Sequence, residues 1–192
     1  MKIPKAGKRT KVAERFGRAL YEQEFLYSDW DSEERVEVYS MWAYEKGMPC
    51  LVFPVTKDRQ VVAVRQYRHG SNALHLETPG GLPKGEQDPI EVVRQELLEE
   101  TGYEADLIVR IGHDFWVDAA AHNLRFRAFF ATNCVKVAEP KLDRTEVMET
   151  VLVPVEDWYD KVFNGQINDG KVMAISILAL PLLATTRIRF CP

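Results

Sequence analysis

The stretch QELLEETGY, residues 95–103, carries three glutamates within five positions, Glu96, Glu99 and Glu100. On an α-helix the three carboxylates share an arc of roughly 100°, beside the apolar face. Like charges one turn apart destabilise a helix by about 0.2–0.5 kcal/mol, and carboxylates near its C-terminus oppose the helix dipole. Local helix energetics therefore do not explain the cluster. A divalent cation would explain it, because such cations prefer several converging oxygen ligands.

The residues around the cluster predict a helix with sharply defined ends. Asp88 is placed as its N-cap, Pro89 as its first residue and Glu91 as the partner in a capping box. Gly102 is placed to end it in a left-handed conformation. Its predicted apolar stripe consists of Ile90, Val93 and Leu97. The Gly- and Pro-rich segment ETPGGLPKGEQD, residues 77–88, predicts a loop before the helix.

The rest of the chain mixes strands and helices without regular alternation. Residues 1–25 read as an extension that is helical around Val12–Leu20. Two further helices are predicted at residues 156–165 and 170–183. Strands are predicted at 35–44, 50–55, 61–67, 105–111, 124–131 and 149–153. The pattern therefore predicts an α+β fold with a mixed sheet and helices packed against it.

Composition narrows the function classes. The net charge of −4 and pI of about 5.7 give no reason to expect nucleic-acid binding. The three cysteines are far apart and form no C-x-x-C pair, which argues against a disulfide framework or a zinc site. The longest apolar run, residues 172–184, is too short to cross a bilayer, and the N-terminal residues are charged. We therefore expect a cytoplasmic protein that does not bind membranes.

The segment GGLPKGEQDPIEVVRQELLEETGY, residues 80–103, resembles the signature of the Nudix hydrolases. That signature runs Gly, five residues, Glu, seven residues, Arg-Glu, an aliphatic, any residue, Glu-Glu, any residue, Gly and an apolar residue. Seven residues fall in register with the signature, and the last of them, Tyr103, fits its final apolar position. The other six are Gly81, Glu96, Leu97, Glu99, Glu100 and Gly102. Gln87 and Gln95 stand where the signature has Glu and Arg, with Glu86 and Arg94 just before them. One interpretation is a shifted loop in which Glu86 still takes the role of the first Glu.

The resemblance implies a fold, a cofactor and an assembly. The fold is a Nudix-type α/β/α sandwich with a mixed central sheet and an additional N-terminal strand region. Residues 1–45 would form the extension and dimerisation strands of a homodimer, and residues 46–192 the hydrolase domain. The cofactor is Mg²⁺, with Mn²⁺ as an alternative. The implied metal-binding residues are Gly81, Glu86, Glu96, Glu99 and Glu100.

The segment VVAVRQYRHGSNALHLETPGG, residues 61–81, is similar to that of ADP-ribose pyrophosphatases and related nucleoside-diphosphate-sugar hydrolases. By that similarity Arg65 and Arg68 bind the diphosphate, and Glu77 lies beside the metal site. Glu146 is the first candidate for the catalytic base. Glu149 and Glu99 are further catalytic candidates, and Phe115 is a candidate for stacking on the base, although such rings more often belong to a core.

The implied reaction is hydrolysis of a nucleoside diphosphate sugar, with ADP-ribose split into AMP and ribose 5-phosphate. Two departures favour another nucleotide sugar such as GDP-mannose, and a dinucleotide is a further alternative within the family. Residues 114–123 lack the aromatic-Ser-Pro-Gly turn of ADP-ribose enzymes, and Gly80 replaces the usual Ala. A non-catalytic nucleotide sensor is the alternative of a different class, and Gln87 and Gln95 favour it slightly.

Overall fold

The computed structural model describes residues 3–15, 17–27, 35–45, 47–143 and 146–185. The chain divides into two compact units, Met1–Met48 with Trp116–Arg125, and Pro49–Phe115 with Phe126–Pro192. Its strands are β1 Lys5–Arg15, β2 Arg18–Tyr27, β3 Arg35–Tyr44, β4 Cys50–Thr56, β5 Gln60–Arg68, β6 Ala73–Glu77, β7 Gly80–Gly81, β8 Tyr103–Glu104, β9 Leu107–Trp116, β10 His122–Asn123, β11 Arg125–Lys136 and β12 Met148–Pro154. Its helices are α1 Pro89–Thr101, α2 Val155–Phe163 and α3 Gly170–Thr185.

The first unit is a sheet with strand order β1-β2-β3-β10. The helix predicted around Val12–Leu20 is wrong, because β1 and β2 form an antiparallel hairpin there. Gly17 adopts φ +71° between the two strands, a conformation that suits a turn. Cross-strand contacts stabilise the hairpin, including the Arg9 guanidinium 3.8 Å from the Tyr21 ring centre. Such long-range pairs override a local helical preference.

The second unit is built on a mixed sheet with the order β12-β5-β4-β11-β8. Strands β4 and β11 are parallel, and the β4–β5 and β5–β12 pairs are antiparallel. Residues 50–55 are all buried, as expected for a central strand covered on both faces. The predicted α+β class with a mixed sheet is confirmed. The predicted strands at 50–55, 61–67 and 149–153 and the two C-terminal helices are also confirmed.

Helix α1 packs against β4, β5, β7 and β8. Its predicted ends are confirmed: the Asp88 side chain accepts a hydrogen bond from the Ile90 N–H at 2.7 Å, and Gly102 has φ +76°. A Cβ at Gly102 would lie 2.0 Å from the Ala138 carbonyl oxygen, so no other residue fits. The predicted stripe needs one correction. Ile90 is 36% exposed, and Val92 is buried with Val93 and Leu97.

Ile90 is exposed because it lies in the first turn of α1, outside the cluster that joins the helix to the sheet. That cluster includes Val52, Val62, Val93, Leu97 and Phe129. It fixes the rotation of α1 about its axis. The face of α1 beside the buried stripe therefore points at strand β7. Within the described ranges, no helix is both long enough and apolar enough to span a membrane.

Candidate active site

Two glutamates of α1 lie directly against the glycines of β7. The Glu100 carboxylate accepts a hydrogen bond from the Gly80 N–H at 3.1 Å, and Glu100 is 7% exposed. The Glu96 carboxylate lies so near Gly81 that a Cβ there would be 2.1 Å from its Oε1. Strand β7 is held at this distance by pairing with β4. Helix and strand therefore form a narrow site with two carboxylates on one wall and the glycine backbone on the other.

The surroundings of both carboxylates disfavour the ionised form. Burial raises the pKa of Glu96 to about 7, and the Glu99 charge adds to this. Burial also raises the pKa of Glu100 well above its ordinary value, with the Glu96 charge adding to it. Two desolvated like charges this close are stabilised when a cation lies between them.

The donor set fits a small, hard cation that keeps open positions. Within the part of the chain that the structure describes, no three His, Cys, Asp or Glu side chains form a ready-made metal cage. Mg²⁺ commonly binds one or two carboxylates and completes its shell with water and substrate phosphate oxygens. Glu96 and Glu100, with the neighbouring backbone of Gly81, match that requirement.

Glu99 is held differently from its two neighbours, through a chain of side-chain amides. Its Oε1 accepts a hydrogen bond from Gln95 Nε2 at 2.7 Å. The Gln95 Oε1 accepts in turn from Gln87 Nε2 at 3.1 Å. Thus the two glutamines that depart from the Nudix signature contact each other. Glu86, by contrast, is exposed, and its assignment to the metal set stays a prediction.

Glu146 lies near the α1 carboxylates, and Glu149 does not share its environment. The Glu146 charge contributes to the raised pKa of both Glu96 and Glu100. Its Oε2 accepts a hydrogen bond from the Asp143 N–H at 2.8 Å, which orients the carboxylate. Glu149 instead forms an ion pair of 2.7 Å with Arg65, its cross-strand partner.

Arg68 is held by a buried carboxylate that also binds a lysine. Glu77 is 2% exposed and accepts two hydrogen bonds from the Arg68 guanidinium, at 2.5 and 2.7 Å. It also accepts one from Lys171 Nζ at 3.1 Å. Lys171 comes from the start of α3, where Asp169 accepts from the backbone N–H groups of Lys171 and Val172. Glu77 therefore binds two cationic side chains, and Lys171 is the one that the sequence did not predict.

The only sequence signal for Lys171 was an N-cap residue followed by Gly-Lys, which does not indicate a distant partner.

Phe115 lies in the second unit, partly buried, with its ring stacked on Phe126 at a centroid distance of 6.0 Å. This is a core-type contact. The proposed contact between Phe115 and a nucleobase stays a prediction.

The chain is similar in sequence to known proteins. Residues 46–174 match the model of the NUDIX domain. The chain is 31% identical to an ADP-ribose pyrophosphatase of Bacillus subtilis (strain 168) over 132 residues, which cover 67% of this chain and 70% of the relative. It is 26% identical to a GDP-mannose pyrophosphatase of Yersinia pestis (strain Pestoides F) over 159 residues, or 78% of this chain and 75% of the relative.

The fold is also found in a solved structure. A crystal structure of an ADP compounds hydrolase superposes with a TM-score of 0.78 over 97% of each chain, at 16% identity. This similarity concerns the fold alone. The domain match covers well over half of the chain and includes α1, β7 and the carboxylates between them. The chain therefore belongs to the NUDIX family of pyrophosphohydrolases.

Proposed function

We propose that this protein hydrolyses the pyrophosphate bond of a nucleoside diphosphate sugar, with ADP-ribose as the first candidate substrate. A water oxygen bonds to one phosphorus, the bridging P–O bond breaks, and ADP-ribose yields AMP and ribose 5-phosphate. The observation that carries the proposal is the pairing of the partly buried Glu96 and the buried Glu100 against Gly81 and Gly80, within a NUDIX domain. The name of the Bacillus relative supports the choice of ADP-ribose.

The residues proposed to hold Mg²⁺ are Glu96, Glu99, Glu100 and the Gly81 carbonyl, with Glu86 as a weaker candidate. Mn²⁺ is the proposed alternative cation. When bound, such an ion neutralises phosphate charge and lowers the pKa of water. The protein's own contribution is to hold the Glu96 and Glu100 carboxylates close together and partly or fully out of solvent, where a bound cation neutralises their charge.

Glu146 is proposed as the base that accepts the proton of the attacking water. Its carboxylate is oriented by the Asp143 N–H and lies close enough to raise the pKa of Glu96 and Glu100. Glu99 and Glu149 are the remaining catalytic candidates. Proton transfer of this kind contributes about 10²–10⁴-fold to a rate.

Two arginines are proposed to bind the diphosphate. Arg68 is fixed by Glu77, so its position does not depend on substrate. Arg65 is paired with Glu149, and both side chains are about half exposed or more. Exposed ion pairs are weak, about 0–1 kcal/mol, so a doubly charged diphosphate displaces Glu149 from Arg65 readily. Phe115 is the proposed stacking partner of the nucleobase.

The test is a turnover panel with Mg²⁺, comparing ADP-ribose, GDP-mannose, UDP-glucose, NADH and diadenosine polyphosphates with EDTA controls. EDTA-sensitive release of a nucleoside monophosphate from a sugar nucleotide supports the proposal. GDP-mannose is the second candidate, because the Yersinia relative aligns over a longer part of the chain. A folded protein that neither binds Mg²⁺ nor turns over any compound of the panel would be a sensor instead.

We also propose that the protein is a cytoplasmic homodimer. In the first unit, β3 exposes Val36 and Val38, alternate residues on one face of the strand, by 56% and 57%, and this apolar surface is suited to a second copy. Cys134 is a buried free thiol, which fits a reducing compartment. Light scattering at several protein concentrations tests the dimer, and a monomer at all of them would refute it.

A further inference from the structure

Gln87 and Gln95 form part of a continuous chain of hydrogen bonds that ends on a candidate metal-binding carboxylate. The chain starts at the Lys84 backbone N–H, which donates to Gln87 Oε1 at 3.2 Å. Gln87 Nε2 donates to Gln95 Oε1 at 3.1 Å, and Gln95 Nε2 donates to Glu99 Oε1 at 2.7 Å. The loop before α1 is thereby connected to the catalytic face of the helix.

The direction of this chain is fixed by its two ends. A backbone N–H at Lys84 only donates, so Gln87 must present its oxygen there and its nitrogen to Gln95. An ionised carboxylate at Glu99 only accepts, so Gln95 must present its nitrogen there and its oxygen to Gln87. Each end independently sets the same orientation for both amides. The last bond is the shortest of the three, as expected when the acceptor is charged.

We propose that Gln87 and Gln95 are positioning residues that hold the Glu99 carboxylate by this directional amide chain. The inference rests on the proposed function in one respect, namely that Glu99 serves the metal site. Gln87 does not touch Glu99 and acts only through Gln95. Metal ligands whose supporting hydrogen bonds are removed lose about 10–100-fold in metal affinity or activity.

Neighbouring charged residues do not take this role. Arg94 is 47% exposed and its guanidinium lies 3.5 Å from Glu91, on another side of the helix from Gln95. Lys84 Nζ approaches the second Glu99 oxygen only to 3.8 Å, and its side chain is 69% exposed. The neutral amides are therefore the main fixed support of Glu99, and Arg94 offers a matched control on the same helix.

The first experiment replaces the amides by a side chain of similar length without donors or acceptors. Gln87→Met, Gln95→Met and the double variant are compared with Arg94→Met. The readouts are Mg²⁺ affinity by calorimetry with the metal alone, kcat/KM, and the free energy of unfolding without metal. We expect Gln95→Met to lower Mg²⁺ affinity and kcat/KM by about 10–100-fold. Gln87→Met should lower both by less, and the double variant should resemble Gln95→Met.

The second experiment reverses the chain and then repairs it. Gln87→Glu is isosteric, yet the new carboxylate accepts from both Lys84 and Gln95, which turns the Gln95 oxygen towards Glu99. We expect a larger loss of kcat/KM than in Gln87→Met, despite the added negative charge near the cation. Adding Gln95→Arg to Gln87→Glu should restore activity, because a guanidinium donates both to the carboxylate introduced at position 87 and to Glu99.

The proposal is overturned if Gln87→Met behaves like Arg94→Met, if the two Met changes multiply instead of overlapping, or if Gln95→Arg fails to rescue Gln87→Glu. The unfolding measurement needs no substrate. An inactive wild-type protein would therefore refute the proposed function, while non-additive unfolding free energies of the Met variants would still support the chain.

Discussion

Gly81→Ala provides the sharpest test of the active-site geometry. The added Cβ would lie 2.1 Å from Glu96 Oε1 and 2.3 Å from its Cδ. Ordinary contacts begin at 3.4 Å, so the carboxylate must move by about 1.3 Å, the difference between these distances. A displacement of about 1 Å in an active site costs on the order of 10²-fold in rate. We therefore expect kcat/KM to fall by about 100-fold.

The fold should tolerate this change, because the displaced atoms are the end of a flexible side chain. Gly80→Ala is the instructive contrast, since its Cβ would lie 2.4 Å from the Cys50 carbonyl oxygen and 2.9 Å from the Leu51 Cα. That substitution pushes on the backbone of the central strand and should lower Tm. Gly70→Ala is the neutral control, with no atom within 4 Å of the added Cβ.

The assay pairs steady-state hydrolysis of the preferred nucleotide sugar with thermal unfolding for all three variants. Loss of activity at unchanged Tm in Gly81→Ala, together with a lowered Tm in Gly80→Ala, supports the geometry. Wild-type kcat/KM in Gly81→Ala would refute the idea that Glu96 works from its position against this glycine.

Three further outcomes are expected. Glu100→Gln should lower kcat/KM by more than about 100-fold without lowering Tm, because it removes a charge that is proposed to bind the metal and that burial disfavours; near-normal turnover at saturating Mg²⁺ would contradict this. Glu146→Gln should reduce kcat by about 10²–10⁴-fold with little change in substrate affinity, and an unchanged kcat would assign the base elsewhere. Burial raises the pKa of Glu77, but Arg68 and Lys171 lower it by more, so that it lies below its ordinary 4.5. The contribution of Glu77 to the free energy of unfolding is therefore complete above pH 4.5 and is lost as the pH falls through the lower folded pKa. Below pH 4.5 the free energy of unfolding of the wild type should fall more steeply with pH than that of Glu77→Gln. Parallel pH curves would argue against this pairing.

Features set by neighbouring residues were predictable from sequence. Asp88 and Gly102 mark the ends of α1 through backbone conformations and hydrogen bonds that involve only a few residues. The buried strand at residues 50–55 was recognisable from its continuous apolar run. The spacing of Glu96, Glu99 and Glu100 predicted a metal site because their arrangement opposes local helix energetics and lies between a Gly-Gly loop and a helix-ending glycine.

Features that depend on distant partners were not predictable. The segment around Val12–Leu20 has an acceptable helical pattern, and only its cross-strand neighbours make it a hairpin. Counting along the signature placed Gln87 where Glu is usual, and a shifted loop that gives this role to Glu86 was one interpretation, whereas the folded loop brings Gln87 to Gln95. Lys171 reaches Glu77 from 94 positions away, a pairing that no local pattern encodes.

The parallel pairing of β4 with β11 has a consequence for the order of assembly. Cys50 pairs with Arg127, so one edge of the central strand must wait for a partner 77 positions later in the chain, although β5 and β7 pair with the strand earlier. At a synthesis rate of roughly 5–20 residues per second, that delay is about 4–15 s on the ribosome. Closure of so long a loop is slow, and an apolar strand with an open edge is prone to self-association meanwhile. The nascent chain should therefore bind a chaperone most strongly after residue 56 has emerged and before residue 127 has.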